Sequence, residues 1–253
     1  MDSDDLTSRA KVFVQNVLSR FIFQFSKSTH PHLLISTKLT DSYRQKGLRK
    51  RMVDALRQRG ISDDAVLAAI AAVPRHFFLD KDFEEHAYED KAFPIGCEQT
   101  ISQPFTVAYQ TVLLNIKNGD HVLEIGTGSG YQAAILAALG AKVFTVERQE
   151  GLYFQTKKLL DSLGFKTVKC FFRDGSKGLA EKAPFDKIIV TAGAPVVPEP
   201  LKAQLAVGGI LVIPVGESVQ QMLKITRISA TEFQEERLEN FRFVPFLEGV
   251  SRK

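Results

Sequence analysis

"VLEIGTGSG", Val122 to Gly130, decides how the rest of the chain is read. A short apolar run ends in three glycines at alternate positions, Gly126, Gly128 and Gly130, and "YQAAILAALG" (131–140) follows at once with helical character. A strand that passes straight into a helix through glycines lets backbone amides approach a ligand closely, because no Cβ stands in the way. A dinucleotide fingerprint, G-x-G-x-x-G, would place its third glycine at Tyr131, so the spacing does not fit NAD. The next apolar run, "KVFTVE" (142–147), ends in Glu147, about 20 residues after the first glycine, where a carboxylate can accept hydrogen bonds from both hydroxyls of a ribose.

Working outward, short apolar runs alternate with helical stretches from Asn118 onward: "HVLEIG", "KVFTVE", "VKCFFRD", "KIIVTAG" and "GILVIPVG", separated by "YQAAILAALG", "GLYFQTKKLLDSLG" and "EPLKAQLAV". Near-continuous apolar strands separated by helices imply a parallel sheet covered on both faces. The tail, "MLKITRIS" and then "RFVPFLEG", reads as two strands with no helix between them, which predicts an antiparallel edge. The expected fold class is therefore α/β, a Rossmann-like, doubly wound, mostly parallel sheet with an antiparallel edge, preceded by N-terminal helices. In "YRQKGLRKRMVDALRQRG" (43–60) Leu48, Met52, Val53 and Leu56 share one helical face and Gly60 closes it. Ser62 is the expected N-cap of "DDAVLAAIAAV", which Pro74 stops. Residues 1–42 do not fit this organisation and are expected to form a loosely ordered extension, leaving 43–253 as the main domain.

Composition narrows the class. With 253 residues, 44% hydrophobic and 25% charged, the chain can bury one sizeable core. The net charge of +4 is spread along the sequence without a basic tail, so charge carries no nucleic-acid signal. The basic groups of "RQKGLRKRMVDALRQR" are distributed around a helix and read as a solvated face. Two distant cysteines, Cys97 and Cys170, and five scattered histidines lack metal-ligand spacing, so no metal and no disulfide is expected, in keeping with a reducing cytoplasm. The apolar run "AKVFVQNVLSRFIFQF" is broken by Lys11, Gln15, Asn16 and Arg20 well short of the ~20 residues of a membrane span. It is read as amphipathic. Residues 6–30, rich in serine and basic groups and free of acids, leave a mitochondrial-type presequence open.

Two further features lie outside the glycine turn. Asp174, after "VKCFFR" and before Gly175, falls at the carboxyl end of a strand, where open α/β sheets bind ligands and where it can accept from an adenine amine. "EQTISQPF" (98–105) has neither helical periodicity nor strand alternation and is rich in hydroxyl and amide groups.

The combination of E-x-G-x-G-x-G with an acid ending the second strand resembles the S-adenosylmethionine-dependent methyltransferases. Taken in order, "VPRHFF", "YEDKAFPIG", "EQTISQPF", "VLEIGTGSGYQAAILA", "VERQEGL", "APFDKIIVTAGAP", "GGILVIPVG" and "RFVPF" resemble protein-L-isoaspartate O-methyltransferases over roughly Tyr43 to Gly249. That resemblance implies transfer of a methyl group from S-adenosyl-L-methionine to the α-carboxylate of isoaspartyl residues in damaged proteins and peptides. It implies no nucleic-acid or membrane partner, and the chain is expected to act as a monomer. It assigns Ser102, with Thr100, to the acceptor carboxylate. The donor set it implies is Glu124, Gly126, Thr127, Gly128, Gly130, Glu147, Asp174 and Gly175, with Gln103 and Pro104 in the loop that covers the donor. Cys97, Glu98, Arg173 and Ser176 depart from the family pattern around that loop and the adenine wall. A methyltransferase of a small molecule or RNA, and a non-catalytic nucleotide-binding protein, remain alternatives at this point.

Overall fold

The computed structural model describes residues 39–252. The apolar run at 10–25 and nearly all of the expected extension therefore lie outside the described residues. The first described element is helix α1 (Tyr43–Gln58), capped by Ser42, whose Oγ accepts from the Gln45 amide. Asp41 takes both terminal nitrogens of Arg49. Asp41 and Ser42 are thus part of the packed unit, two residues ahead of the expected boundary. Helix α2 (Asp64–Ala72) is capped by Asp63, not Ser62, because the Asp63 carboxylate reaches the amides of Ala65 and Val66. It ends just before Pro74, as expected.

A two-stranded hairpin follows, β1 (Phe93–Gly96) and β2 (Gln99–Ile101). The loop read from sequence as irregular is therefore half strand, and its last residues open helix α3 (Pro104–Leu114). Cys97 and Glu98 form the hairpin turn with φ of 50° and 58°. Both central residues of such a two-residue turn need positive φ, which explains why glycine or asparagine would suit the place better and why the local pattern was hard to read.

The central domain runs β3 (His121–Ile125), α4 (Tyr131–Ala138), β4 (Lys142–Glu147), α5 (Glu150–Ser162), β5 (Lys169–Phe172), β6 (Phe185–Val190), α6 (Glu199–Ala203), β7 (Leu205–Val215), β8 (Gln220–Arg227) and β9 (Phe233–Phe241). These strands form one seven-stranded sheet in the order β5-β4-β3-β6-β7-β8-β9, parallel through β7 and antiparallel at β8 and β9. The fold class read from sequence is the one observed. The last strand is misplaced in that reading: it is Phe233–Phe241, whereas 242–249 leaves the sheet. The cause is visible in "FQEERLENF", where acids and amides mask a strand that only one neighbour covers.

Successive residues of β3 divide between two cores. Val122 belongs to the core under helices α1 to α5, and Leu123 to the core on the opposite face. That second face is covered more thinly, by the short α6 and by 3-10 turns at Gly175–Lys177 and Ala180–Lys182. Between these layers lies Glu124, fully buried in β3. Thr145 Oγ1 donates to its Oε2 and in turn lies 2.6 Å from Thr127 Oγ1, so Thr127 must donate into the chain. Oε1 of Glu124 has no partner among the described residues. Burial raises the Glu124 pKa to about 8; the Thr145 hydroxyl opposes this and the nearby Glu147 charge adds to it.

A carboxyl whose folded pKa stands above its ordinary value of 4.5 binds more protons folded than unfolded. Its contribution to stability is complete below 4.5 and is lost as pH rises toward about 8. Unfolding titrations of wild type and Glu124→Gln across that window should show the wild type losing stability relative to the variant as pH rises. A difference that stays flat with pH would show that Glu124 is not held protonated.

Candidate active site

The glycine turn is forced by its neighbours. Gly126 has φ of 97°, and a Cβ there would stand 2.5 Å from Thr191 Oγ1, the hydroxyl that donates to the Gly126 carbonyl. Gly130 has φ of 84°, and a Cβ would meet Thr156 Cγ2 at 2.6 Å and Leu160. Gly128, with φ of 51°, lies under Ile95 of the hairpin. The Thr156 hydroxyl donates to the Gly128 carbonyl at 2.6 Å, and the Gly128 amide donates to Glu147 Oε2 at 2.8 Å. Glu147 is itself buried at the end of β4, and its Oε1 accepts from the amides of Arg148 and Gln149. The strand-terminal acid and the glycine turn hold each other in place.

Around this turn opens a cleft of about 600 Å³, part of it open to solvent. Gly126, Gly128, Glu147 and Gly175 line it with Thr100 and Gln99 from the hairpin. Its far wall is the segment after β9. The Gly193 amide donates to Val244 O and the Phe246 amide to Gly193 O, while Ser251 exchanges backbone bonds with Arg148 and Glu150. Arg148 also donates from its side chain to Gly249 O and Glu248 O. The tail is thereby pinned across the carboxyl ends of the strands, with Val244, Pro245, Phe246 and Leu247 facing the cleft.

A second cleft adjoins the first. It is lined by Ser102, Gln103, Phe105, Arg59, Phe241 and Arg242 among others, and it shares Thr100, Thr191 and Val244 with the first. Ser102 is half-buried there, and its hydroxyl has no hydrogen-bond partner among the described residues. Pro104 is buried as the first residue of α3 and lines neither cleft.

The remaining sequence-derived residues, Glu124, Thr127, Gly130 and Asp174, line neither cleft. Glu124 and Thr127 sit under the glycine turn and Gly130 beneath its helix, none of them lining the first cleft. Asp174 caps the following 3-10 turn through the Ser176 amide. Partial burial opposes ionisation of Asp174, but the amides of Gly249 and Ser176 outweigh it and lower its pKa. Gly175, the next residue, faces the cleft. Sequence reasoning missed Thr191, Val244, Phe246 and Arg148. Thr191 was legible as the polar residue ending the apolar strand "KIIV"; the tail residues were hidden by their reading as a strand.

The residues present fit S-adenosyl-L-methionine: a carboxylate whose Oε2 keeps an acceptor position for a ribose hydroxyl, a turn stripped of side chains, and apolar walls at Ile125, Val146 and Phe246. Among the described residues no group of three or more His, Cys, Asp or Glu could hold a metal ion, and no helix is long and apolar enough to cross a membrane.

Comparison with known proteins agrees with this geometry. The chain is 56% identical over 210 residues to the protein-L-isoaspartate O-methyltransferase of Christiangramia forsetii, covering 83% of this chain and 99% of that one. It is 55% identical, with the same coverage, to that of Flavobacterium johnsoniae. Among solved structures, one protein-L-isoaspartate O-methyltransferase superposes with a TM-score of 0.72 at 29% identity, over 78% of this chain and 65% of the neighbour's. A Plasmodium falciparum protein described as a protein-L-isoaspartate O-methyltransferase, in complex with S-adenosyl-L-homocysteine, gives 0.71 at 26% identity over 79% of this chain and 98% of that one. With residues 47–251 matching the family model for protein-L-isoaspartate(D-aspartate) O-methyltransferase, the chain belongs to that family.

Proposed function

We propose that this chain methylates the α-carboxylate of L-isoaspartyl residues in damaged proteins, with the methyl donor in the first cleft and the acceptor in the second. The observation that carries this reading is that Thr100, Thr191 and Val244 line both clefts, so the two adjoin, with Ser102 in the lining of the second. Glu147 holds the ribose of S-adenosyl-L-methionine, Gly126, Gly128 and Gly175 let the donor lie against backbone, and Gln99 and Thr100 of the hairpin cover it. When bound, the donor supplies an electrophilic methyl group on a sulfonium.

Every other task falls to the chain. A carboxylate is ionised at neutral pH and is already a nucleophile, so the site needs alignment and exclusion of water rather than a strong base. The Ser102 hydroxyl, without a partner among the described residues, donates to the acceptor carboxylate without neutralising it, and Thr100 lines both clefts. A cation free to pair with that carboxylate would stabilise the ground state as well as the transition state. Arg44, Lys50, Arg57 and Arg59, in and just after α1, pair with Glu85, Asp54, Asp64 and Asp90, which supports a peptide acceptor over a polyanion. Both clefts are built from one chain, so this reading needs no second copy.

The direct test uses labelled S-adenosyl-L-methionine and two matched peptides, one with isoaspartate and one with aspartate. Base-labile methyl ester should form on the first alone, and labelling of both or neither would overturn the reading. By calorimetry, Glu147→Ala should weaken donor binding by roughly 1.5–3 kcal/mol, the range for hydrogen bonds to a charged group. An unchanged affinity in the folded variant removes Glu147 from the ribose site. Ser102→Ala should lower turnover by roughly 10- to 1000-fold while donor affinity stays near wild type. Wild-type turnover would refute the role of Ser102, and lost donor binding would move the residue into the donor site.

A further inference from the structure

The acceptor side of the site depends on a helix without a cap of its own. Helix α3 begins at Pro104, two residues after Ser102; its N-cap residue, Gln103, makes no side-chain capping bond, and proline carries no N–H. The first amide the helix has to offer is that of Phe105, and it donates to Asp90 Oδ1 at 2.8 Å. Asp90 lies 15 residues earlier in the chain, in the connection leading to β1. Its other oxygen, Oδ2, pairs with Arg59. The Arg59 guanidinium in turn lies 3.8 Å from the centroid of the Phe105 ring. Arg59 and Phe105 line the acceptor cleft together with Ser102.

Ser102 spans the gap between a strand and a helix, so the place of its hydroxyl is set by how firmly those two ends are held. The strand end is held by pairing of Ile101 with Phe93. The helix end is held by Asp90, a negative charge at a helix N-terminus where the dipole favours it. The same carboxylate pairs with Arg59, one of the two arginines, with Arg242, that line the acceptor cleft.

We propose that Asp90 is a positioning residue for methyl transfer: it caps α3 from outside the helix, keeps Arg59 on Phe105, and thereby sets where Ser102 meets the acceptor carboxylate. The proposal rests on the role given to Ser102 above. Its test is a double-mutant cycle in the full chain with Asp90→Ala, Ser102→Ala and the double variant, alongside Asp90→Asn and Arg59→Met. With isoaspartyl peptide, Asp90→Ala should lower kcat by about 10- to 100-fold, as expected for a loosened alignment. Its Kd for S-adenosyl-L-methionine should stay within about 2-fold, and hydrogen exchange of the Phe105 amide should quicken. Asp90→Asn, whose side-chain carbonyl still accepts from Phe105, should recover much of the loss. The double variant should be no slower than the slower single variant, because both changes act on one alignment.

Wild-type kcat in Asp90→Ala, an Asn variant as slow as the Ala variant, donor affinity falling in step with kcat, or losses that simply add would each overturn the proposal. If the losses add while Ser102→Ala alone is slow, the role of Ser102 survives and that of Asp90 does not; wild-type turnover in Ser102→Ala removes both. Arg59→Met keeps the cap and removes the partner of Oδ2, so it keeps the proposal testable should Asp90→Ala not fold. It should lower kcat without weakening donor binding, and wild-type kcat in that variant counts against the Arg59 arm.

Discussion

The arrangement of the site follows from one close approach, that of the Glu147 carboxylate to the Gly128 amide across the ends of two neighbouring strands. For that bond to form, the backbone between β3 and α4 has to turn sharply, with left-handed conformations at Gly126, Gly128 and Gly130. Thr191, Thr156 and Ile95 then fill the space that side chains on those glycines would have taken. The Glu147 oxygens are directed by the amides of Gly128, Arg148 and Gln149, so the position of this carboxylate at the cleft is settled by backbone.

Beneath the turn the molecule carries an electrostatic cost. Glu124 and Arg75 are both fully buried, and Oε1 of the first and Nη1 of the second have no hydrogen-bond partner among the described residues. Arg75 donates to the carbonyls of Ala87 and Lys91 and lies 5.0 Å from the Tyr131 ring centroid, so it joins the segment before the hairpin to the first residue of α4. Burial lowers its pKa to about 10, and burial likewise raises that of the Tyr131 hydroxyl to about 12. Groups that are costly to bury hold only one arrangement well, which suits a place where the helical layer and the sheet must stay in register.

The donor half of the site was largely legible because it is local. Strand, glycines, helix and the acid at the end of the next strand are contiguous, and each has a backbone reason for its residue type. The loop "QTISQP" was legible through its resemblance to a family loop and not through periodicity. A two-residue turn at Cys97 and Glu98, with positive φ at residues that seldom adopt it, hid the hairpin, and Pro104 opens a helix whose cap comes from Asp90. The tail was misread for a related reason: "RFVPF" has the apolar character of a strand, yet its backbone bonds go to Gly193 in a connection between elements and not to a sheet neighbour.

The sequence by itself determined the parallel α/β class, the antiparallel edge, the glycine turn and the acid that ends the next strand, since these depend on interactions between residues near one another in the chain or on a repeated pattern of burial. Only the tertiary structure decided which of these residues line a cleft. Glu124 and Asp174 belong to the same motifs as Glu147 and Gly175, but only the latter two line the first cleft; Glu124 is fully buried, and Asp174 accepts from the Ser176 amide. The junction of the clefts at Thr100, Thr191 and Val244 gathers residues from a hairpin, a strand end and the tail. No spacing along the chain encodes that meeting, because it arises from where the sheet ends three separate segments in space.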